Sequence, residues 1–239
     1  LPKKEILTLE EIERMCDNFI EMGVKKIRLT GGEPLVRRDI IKLIKRLNSK
    51  KNTTILKEIT LTTNGTLLEK YARDLKKGGV NRINVSLDTI NHNKYKEITK
   101  FGNLDKVILG IKEAKKNNIA IKINTVVLKN FNEDELVKLI YWTNKLDIDI
   151  TFIEVMPMAD TDTDRFFQFS PLNKIYDKLN INFNFIKTNK NTGGPATYYT
   201  SQKLSNKVGF ITPLTNNFCA NCNRVRISST GKLYMCLGQ

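Results

Sequence analysis

The chain has 239 residues, with 40 Lys and Arg against 25 Asp and Glu, 1 His and 4 Cys, for a formal net charge of +15. Its 40% hydrophobic content excludes a disordered tail or a collagen-like fibre, no apolar run approaches the roughly 20 residues of a membrane span, and so few cysteines exclude a disulfide scaffold. Excess positive charge points to an anionic partner or to a lysine-rich solvated surface, and residues 171–239 hold nine Lys and Arg against Asp177 alone.

In chain order, Thr8-Leu9-Glu10-Glu11 reads as a capping box, and behind it Ile12, Met15, Cys16, Phe19 and Ile20 recur on one helical face until Gly23 stops the helix. Cys16 on that face is expected to be a buried structural thiol. Short β-rich runs follow at Lys26–Thr30, Ile59–Thr63, Arg82–Leu87, Ile119–Val127 and Asp149–Met156. Between them lie amphipathic segments around Ile40–Leu47, Leu67–Lys77 and Leu104–Asn117, and one opening at Asn132 with Glu135 three residues on. His92 is expected on the surface near a helix start. Strict alternation of strand and helix implies parallel βαβ units, read here as an incomplete βα barrel over residues 1–157. After that the alternation stops. Residues 157–169 look like a loop, Ser170-Pro171 opens a helix with Pro at its first position, and strand-like pieces surround Gly193-Gly194-Pro195. Residues 158–239 form a basic C-terminal extension on this reading. A Lys-rich, Cys-poor chain suits a reducing compartment, the cytoplasm, and a start at Leu1 leaves any targeting segment outside it.

In a βα barrel, chemistry gathers where strands end at their carboxyl side. The strands here end in Thr30-Gly31-Gly32-Glu33-Pro34, Thr62-Thr63-Asn64-Gly65, Asn84-Val85-Ser86-Leu87-Asp88 and Lys122-Ile123-Asn124-Thr125. Small polar groups at successive strand ends point to a polar cavity, and paired glycines let backbone approach a ligand. Alternate strand residues share a face, so Lys26 points with Arg28 and Lys122 with Asn124. Cations inside a barrel are costly unless compensated, and a polyanionic ligand would compensate them.

The sharpest pattern is Cys219-x2-Cys222-x13-Cys236. Three cysteines leave one position of a four-ligand zinc site empty, and His92 is far away in sequence. An iron–sulfur cluster with one iron free of protein ligands fits a three-cysteine set better, while a redox pair lacks a thioredoxin-like βαβ context. Arg224 and Arg226 follow directly, and the guanidinium fork suits phosphate.

Together GGEP, TTNG, NVSLD, KxNTV, FIExMP, GPA and the terminal CxxCNRxRxSxxGKLxxCL resemble the GTP 3′,8-cyclase family of radical S-adenosylmethionine enzymes, which serves molybdenum cofactor biosynthesis. The resemblance runs along essentially the whole chain. It implies an incomplete (βα)6-type TIM barrel and the first step of that pathway, cyclisation of GTP to 3′,8-cyclo-7,8-dihydro-GTP. It implies S-adenosylmethionine bound by Gly32, Ser86, Asn124 and Met156. GTP would meet Lys26, Arg28, Thr62, Lys122 and the stretch Arg224, Val225 and Arg226, of which the two arginines would act in catalysis. A [4Fe–4S] auxiliary cluster would sit on Cys219, Cys222 and Cys236, its free iron facing guanine. A second [4Fe–4S] cluster would cleave S-adenosylmethionine to a radical that takes the ribose 3′ hydrogen, after which the carbon radical closes on C8. The implied partners are an electron donor such as flavodoxin, a cyclic pyranopterin monophosphate synthase that takes the product, and a second copy in a homodimer, with no membrane and no nucleic acid.

The sequence departs from the family at three places. The CxxxCxxC motif that would hold the reductive cluster is not in it, which reads as truncation, so this polypeptide alone is expected to be inactive. The family's terminal Gly-Gly is also missing, and Thr151 stands where relatives often carry a substrate-reaching Arg. The competing readings are another radical enzyme with an auxiliary cluster and a zinc-containing nucleic-acid-binding module.

Overall fold

A computed structural model describes residues 5–156, 167–216 and 222–236. The opening helix α1 (Leu9–Glu21) has the capping box: the Thr8 hydroxyl accepts from the Glu11 amide at 3.1 Å, and Glu11 accepts from the Thr8 amide at 2.7 Å. Alternation then runs β1 (Lys26–Leu29), α2 (Ile40–Lys50), β2 (Glu58–Thr63), α3 (Leu68–Lys77), β3 (Arg82–Ser86), α4 (His92–Thr99), α5 (Leu104–Lys116), β4 (Ala120–Val127), α6 (Leu136–Lys145) and β5 (Asp149–Glu154). Strands β1 to β5 pair in parallel and in sequence order. His92 is exposed and opens α4, capped by the Asn91 side chain.

Two details differ from expectation. Asn132 precedes a single 3-10 turn, Glu133–Glu135, that leads into α6, but its side chain makes no capping bond. Its amide donates to the Asp88 and Val126 carbonyls and its Oδ1 accepts from the Leu128 amide, so a side chain committed to the β4 loop leaves α6 to begin at Leu136. Pro171 lies just before its helix, α7 (Leu172–Phe183), because Glu154 rather than Ser170 receives the Leu172 amide.

The sheet also runs on past residue 157. After α7 come β6 (Ile186–Lys187), β7 (Thr197–Thr200) and β8 (Val208–Ile211), and β8 joins β5 in parallel, giving an eight-stranded sheet in the order β1-β2-β3-β4-β5-β8-β7-β6. Strands β6 and β7 are antiparallel and form the far edge. The sheet curls: Lys26 on edge strand β1 donates at 2.6 Å to the carbonyl of Thr192, in the loop joining β6 to β7. A two-stranded hairpin, β9 (Arg226–Ile227) with β10 (Leu233–Tyr234), meets the N-terminal segment where the Leu7 amide donates to the Ser229 carbonyl at 2.8 Å.

Strand parity sorts the side chains. Ile59, Leu61, Ile83, Val85, Ile121, Ile123, Ile150 and Phe152 are buried in one continuous apolar core with Leu43, Leu47, Leu75, Ile111 and Leu139 of the helices. The alternate positions on the same strands carry Lys26 and Arg28; Glu58, Thr60 and Thr62; Arg82, Asn84 and Ser86; Lys122 and Asn124; Asp149 and Thr151, with Ala120, Val126 and Ile153 at the ends of β4 and β5. All but those last three are polar or charged. A barrel of this kind normally fills its interior with branched apolar side chains, whereas this one fills it largely with polar and charged ones.

Candidate active site

The inward positions at the strand starts make a cationic floor. Lys26 pairs with Glu58 at 2.7 Å, and Arg82 reaches the same carboxylate at 3.4 Å and the Thr192 carbonyl at 3.4 Å. Arg28 donates to Thr60 Oγ1 at 3.5 Å. It lies open to the cavity yet crowded on its other sides, and that partial desolvation, with Arg82, Arg224 and Arg226 nearby, lowers its pKa. Lys122 is buried, 6% exposed, with its ammonium 3.2 Å from the Tyr198 hydroxyl. Burial lowers its pKa, and Arg82 and Arg28 add to that. Burial raises the Tyr198 phenol, but Lys122 and the Thr151 and Thr192 hydroxyls outweigh it, so the net shift is downward. Gly209 on β8 makes room for this ring: a Cβ there would lie 2.9 Å from Tyr198 and 3.0 Å from Thr151 Oγ1.

Among the described residues one carboxylate, Glu58, pairs with these cations, since Asp149 is engaged by Lys190. Lys26, Arg28 and Lys122 were legible in the sequence as same-face cations. Arg82 and Tyr198 were not singled out, although Arg82 shares strand parity with Asn84 and Ser86. Tyr198 comes from a strand whose place beside β8 no local pattern reveals.

At the carboxyl ends of the strands the surface changes from charged to small and neutral. Ser86 is opposite Asn124 in the β3–β4 register, and Thr62 is opposite Asn84 in the β2–β3 register. Asn124 Oδ1 is buried with no hydrogen-bond partner among the described residues. Gly32 follows β1 in an exposed turn where an added Cβ would meet nothing within 4 Å, which leaves room for a ligand to lie on backbone. Met156 lies two residues past β5 and is half-buried. Glu33 of the same turn is structural: it accepts from the Leu35 and Asn64 amides and the Thr63 hydroxyl, tying the end of β1 to the end of β2. An orphaned amide oxygen, open backbone at Gly32 and a serine at a strand end suit the amino-acid and sugar groups of a nucleoside such as S-adenosylmethionine.

The segment after β8 brings sulfur to the charged floor. Cys222 and Cys236 are exposed free thiols, and both interact electrostatically with Arg226. Hydrogen bonding from the Arg224 backbone and from its guanidinium, at 3.6 Å, lowers the Cys222 pKa. Burial and the neighbouring Arg224 charge lower the pKa of Arg226. Val225 between them is 43% exposed. Cys219 lies outside the described residues. A thiol held toward thiolate beside a second free thiol is the donor chemistry an iron–sulfur cluster requires. The cavity beside Cys222, Asn223 and Arg224 has a volume of about 390 Å³ and is also lined by the loop from Lys187 to Tyr198.

A curled parallel sheet with a polar interior and ligand groups at its strand ends is the architecture of radical S-adenosylmethionine proteins. The chain matches the Radical SAM superfamily over residues 1–142 and Molybdenum Cofactor Synthesis C over residues 148–239. The fold is similar to Streptococcus suis SuiB bound to S-adenosylmethionine, with a TM-score of 0.70 at 16% identity, covering 97% of this chain and 53% of that one. It is also similar to anSMEcpe with bound AdoMet and a peptide, with a TM-score of 0.58 at 19% identity, covering 73% of this chain and 51% of that one. The sequence is 51% identical over 238 residues to the GTP 3′,8-cyclase of Bradyrhizobium diazoefficiens and 50% identical over 239 residues to that of Brucella ovis. These alignments take in 100% of this chain and 69% and 70% of the relatives. The chain belongs to the GTP 3′,8-cyclase family of the radical S-adenosylmethionine superfamily.

Proposed function

We propose that the chain binds GTP with its triphosphate on the cationic floor and takes part in converting it to 3′,8-cyclo-7,8-dihydro-GTP, the first step of molybdenum cofactor biosynthesis. The observation that carries this reading is the convergence of the inward cations Lys26, Arg28, Arg82 and Lys122, with Glu58 the carboxylate that pairs with them among the described residues and Arg224 and Arg226 near Arg28. A triphosphate supplies negative charge in a low-dielectric site, where each contact is stronger than in water. Gly32, Ser86, Asn124 and Met156 would hold S-adenosylmethionine, which supplies the radical chemistry when bound. Cys219, Cys222 and Cys236 would hold an auxiliary [4Fe–4S] cluster, with a further cluster on cysteines outside this chain. Arg224 and Arg226 would keep the substrate beside that cluster. Thr62, half-buried at the carboxyl end of β2, would meet GTP as well. Thr151 cannot supply an arginine's charge, and its hydroxyl instead shares the Tyr198 hydroxyl at 3.5 Å.

Three further parts of the reading rest on the family alone: an electron donor of the flavodoxin kind, a homodimer, and transfer of product to a cyclic pyranopterin monophosphate synthase. No described helix is long and apolar enough to cross a membrane, and the reducing composition suits the cytoplasm. The interior cations favour a small polyanion over a nucleic acid, which a curled sheet would keep out.

The test is anaerobic reconstitution of the full-length protein with iron and sulfide, followed by assay of 5′-deoxyadenosine with and without GTP. GTP-dependent 5′-deoxyadenosine and a cyclised nucleotide are expected, with iron and not zinc in the metal analysis. Turnover indifferent to GTP with both clusters present would overturn the reading.

A further inference from the structure

We infer that Tyr198 is a positioning residue for the substrate, holding the Lys122 ammonium where it meets the triphosphate. Resting on the proposed function for the ligand, this adds a residue that acts through another and so needs no substrate contact of its own. Lys122 points inward from β4 on a flexible four-carbon stem, with 6% of its surface still open. An ammonium has three donors. Among the described residues one is taken, by the Tyr198 hydroxyl at 3.2 Å, which leaves the others for an anion. Asp149, its neighbour in the β4–β5 register, is committed elsewhere: it accepts from Lys190 and from the Lys207 amide. Arg82 and Arg28 face Lys122 with like charge.

Tyr198 is fixed where Lys122 is not. It stands opposite Gly209 in the β7–β8 register, and its ring takes the space that a Cβ on Gly209 would claim. Its hydroxyl lies 3.4 Å from Thr192 Oγ1 and 3.5 Å from Thr151 Oγ1. The Lys122 and Lys190 ammonium groups stand 5.8 and 5.6 Å from the ring centroid, within reach of cation–π attraction. Tyr198 also lines the cavity that Cys222 and Arg224 border, so it ties Lys122 to that wall. The bond has a second effect. Burial lowers the Lys122 pKa, and the hydrogen bond to Tyr198 works against it, which keeps charge on the group that must meet phosphate.

A double-mutant cycle tests this by calorimetric titration of the chain with GTP and with inorganic tripolyphosphate. Tyr198→Phe keeps the ring and removes the hydroxyl, and it is expected to bind both ligands about tenfold more weakly, the usual effect of a lost buried hydrogen bond. In a Lys122→Met background the same change is expected to cost about twofold or less, because nothing remains for the hydroxyl to hold. Equal loss in both backgrounds would make Tyr198 plain scaffold, and no loss in either would show that Lys122 finds its place unaided; each overturns the inference. A wild-type chain that binds neither ligand overturns the proposed function itself. Turnover supplies the second readout. In full-length protein reconstituted with iron and sulfide, Tyr198→Phe is expected to raise KM for GTP about tenfold and leave kcat in place, since the triphosphate does not react. A fall in kcat at unchanged KM, or failure of the variant to fold, would give the hydroxyl another role and overturn the inference.

Discussion

Asp88, just past the end of β3, accepts from the Val126 amide at 2.8 Å, and burial pushes its pKa up to about 6 from 3.8. Between those two values the folded chain holds a proton on Asp88 that the unfolded chain has lost. Lowering the pH through this window therefore favours folding, and raising it from about 4 to about 6 removes stability that does not return above 6. Asp88→Asn keeps an acceptor for Val126 and carries no charge, so it should flatten this slope and add up to about 3 kcal/mol above pH 6. Urea unfolding from pH 4 to pH 8 checks this, and parallel curves for the two proteins would count against it. The thiols divide by the same physics. Burial pushes Cys16 up to about 11, whereas Arg224 draws Cys222 down. The position of Cys16 on an apolar helical face was legible in the sequence. The shift at Asp88 was not, because it depends on what α4 and the β4 loop place around it.

Among the elements, Glu154 does the joining. This buried carboxylate at the end of β5 accepts from the Leu172 amide at the start of α7 and from the Leu214 and Thr215 amides after β8, at 3.0, 3.0 and 3.2 Å. It thereby fixes the helix that leaves β5 and the turn that leads from β8 toward Cys219 and Cys222. Glu154→Ala takes the acceptor from the buried Leu172 amide and from the part-buried Leu214 and Thr215 amides and Thr215 hydroxyl, and should cost about 2–3 kcal/mol, while Glu154→Gln keeps one acceptor oxygen and should cost less. Chemical denaturation of both variants measures the ordering, and equal losses would show that charge rather than hydrogen bonding matters here. Strands β1 to β5 could be read from sequence because each carries an alternating run followed by a helical one. Strands β6, β7 and β8 span Ile186–Lys187, Thr197–Thr200 and Val208–Ile211. Runs so short give little periodicity, and their pairing follows from α7 returning the chain to β5. Helix α4 carries one buried residue, Tyr95, and so shows no apolar stripe.

For the whole molecule, the net charge of +15 opposes the compact state, and most of the lysines stand in solvent where salt screens them. The floor differs because its cations converge in a curled sheet: Lys122 is 6% exposed and Arg82 shares Glu58 with Lys26. An anion that enters this cavity binds the folded chain and not the unfolded one, and so adds stability by mass action. Inorganic tripolyphosphate at a hundredfold excess over its dissociation constant is worth about 2.7 kcal/mol, or a rise in melting temperature of about 5–10 °C for a chain of this size. Sodium chloride at equal ionic strength should give far less, because screening acts on the surface and leaves the floor unpaired. Lys122→Met, which keeps the bulk of the side chain and removes its charge, should remove a large part of the tripolyphosphate effect while leaving the chloride response in place. Differential scanning fluorimetry resolves shifts of this size. If tripolyphosphate and chloride prove equivalent, the surplus charge belongs to the surface alone. If a DNA duplex gives the larger shift, the charge that matters lies outside the barrel, whose interior has room for side chains or a small ligand and not for a duplex.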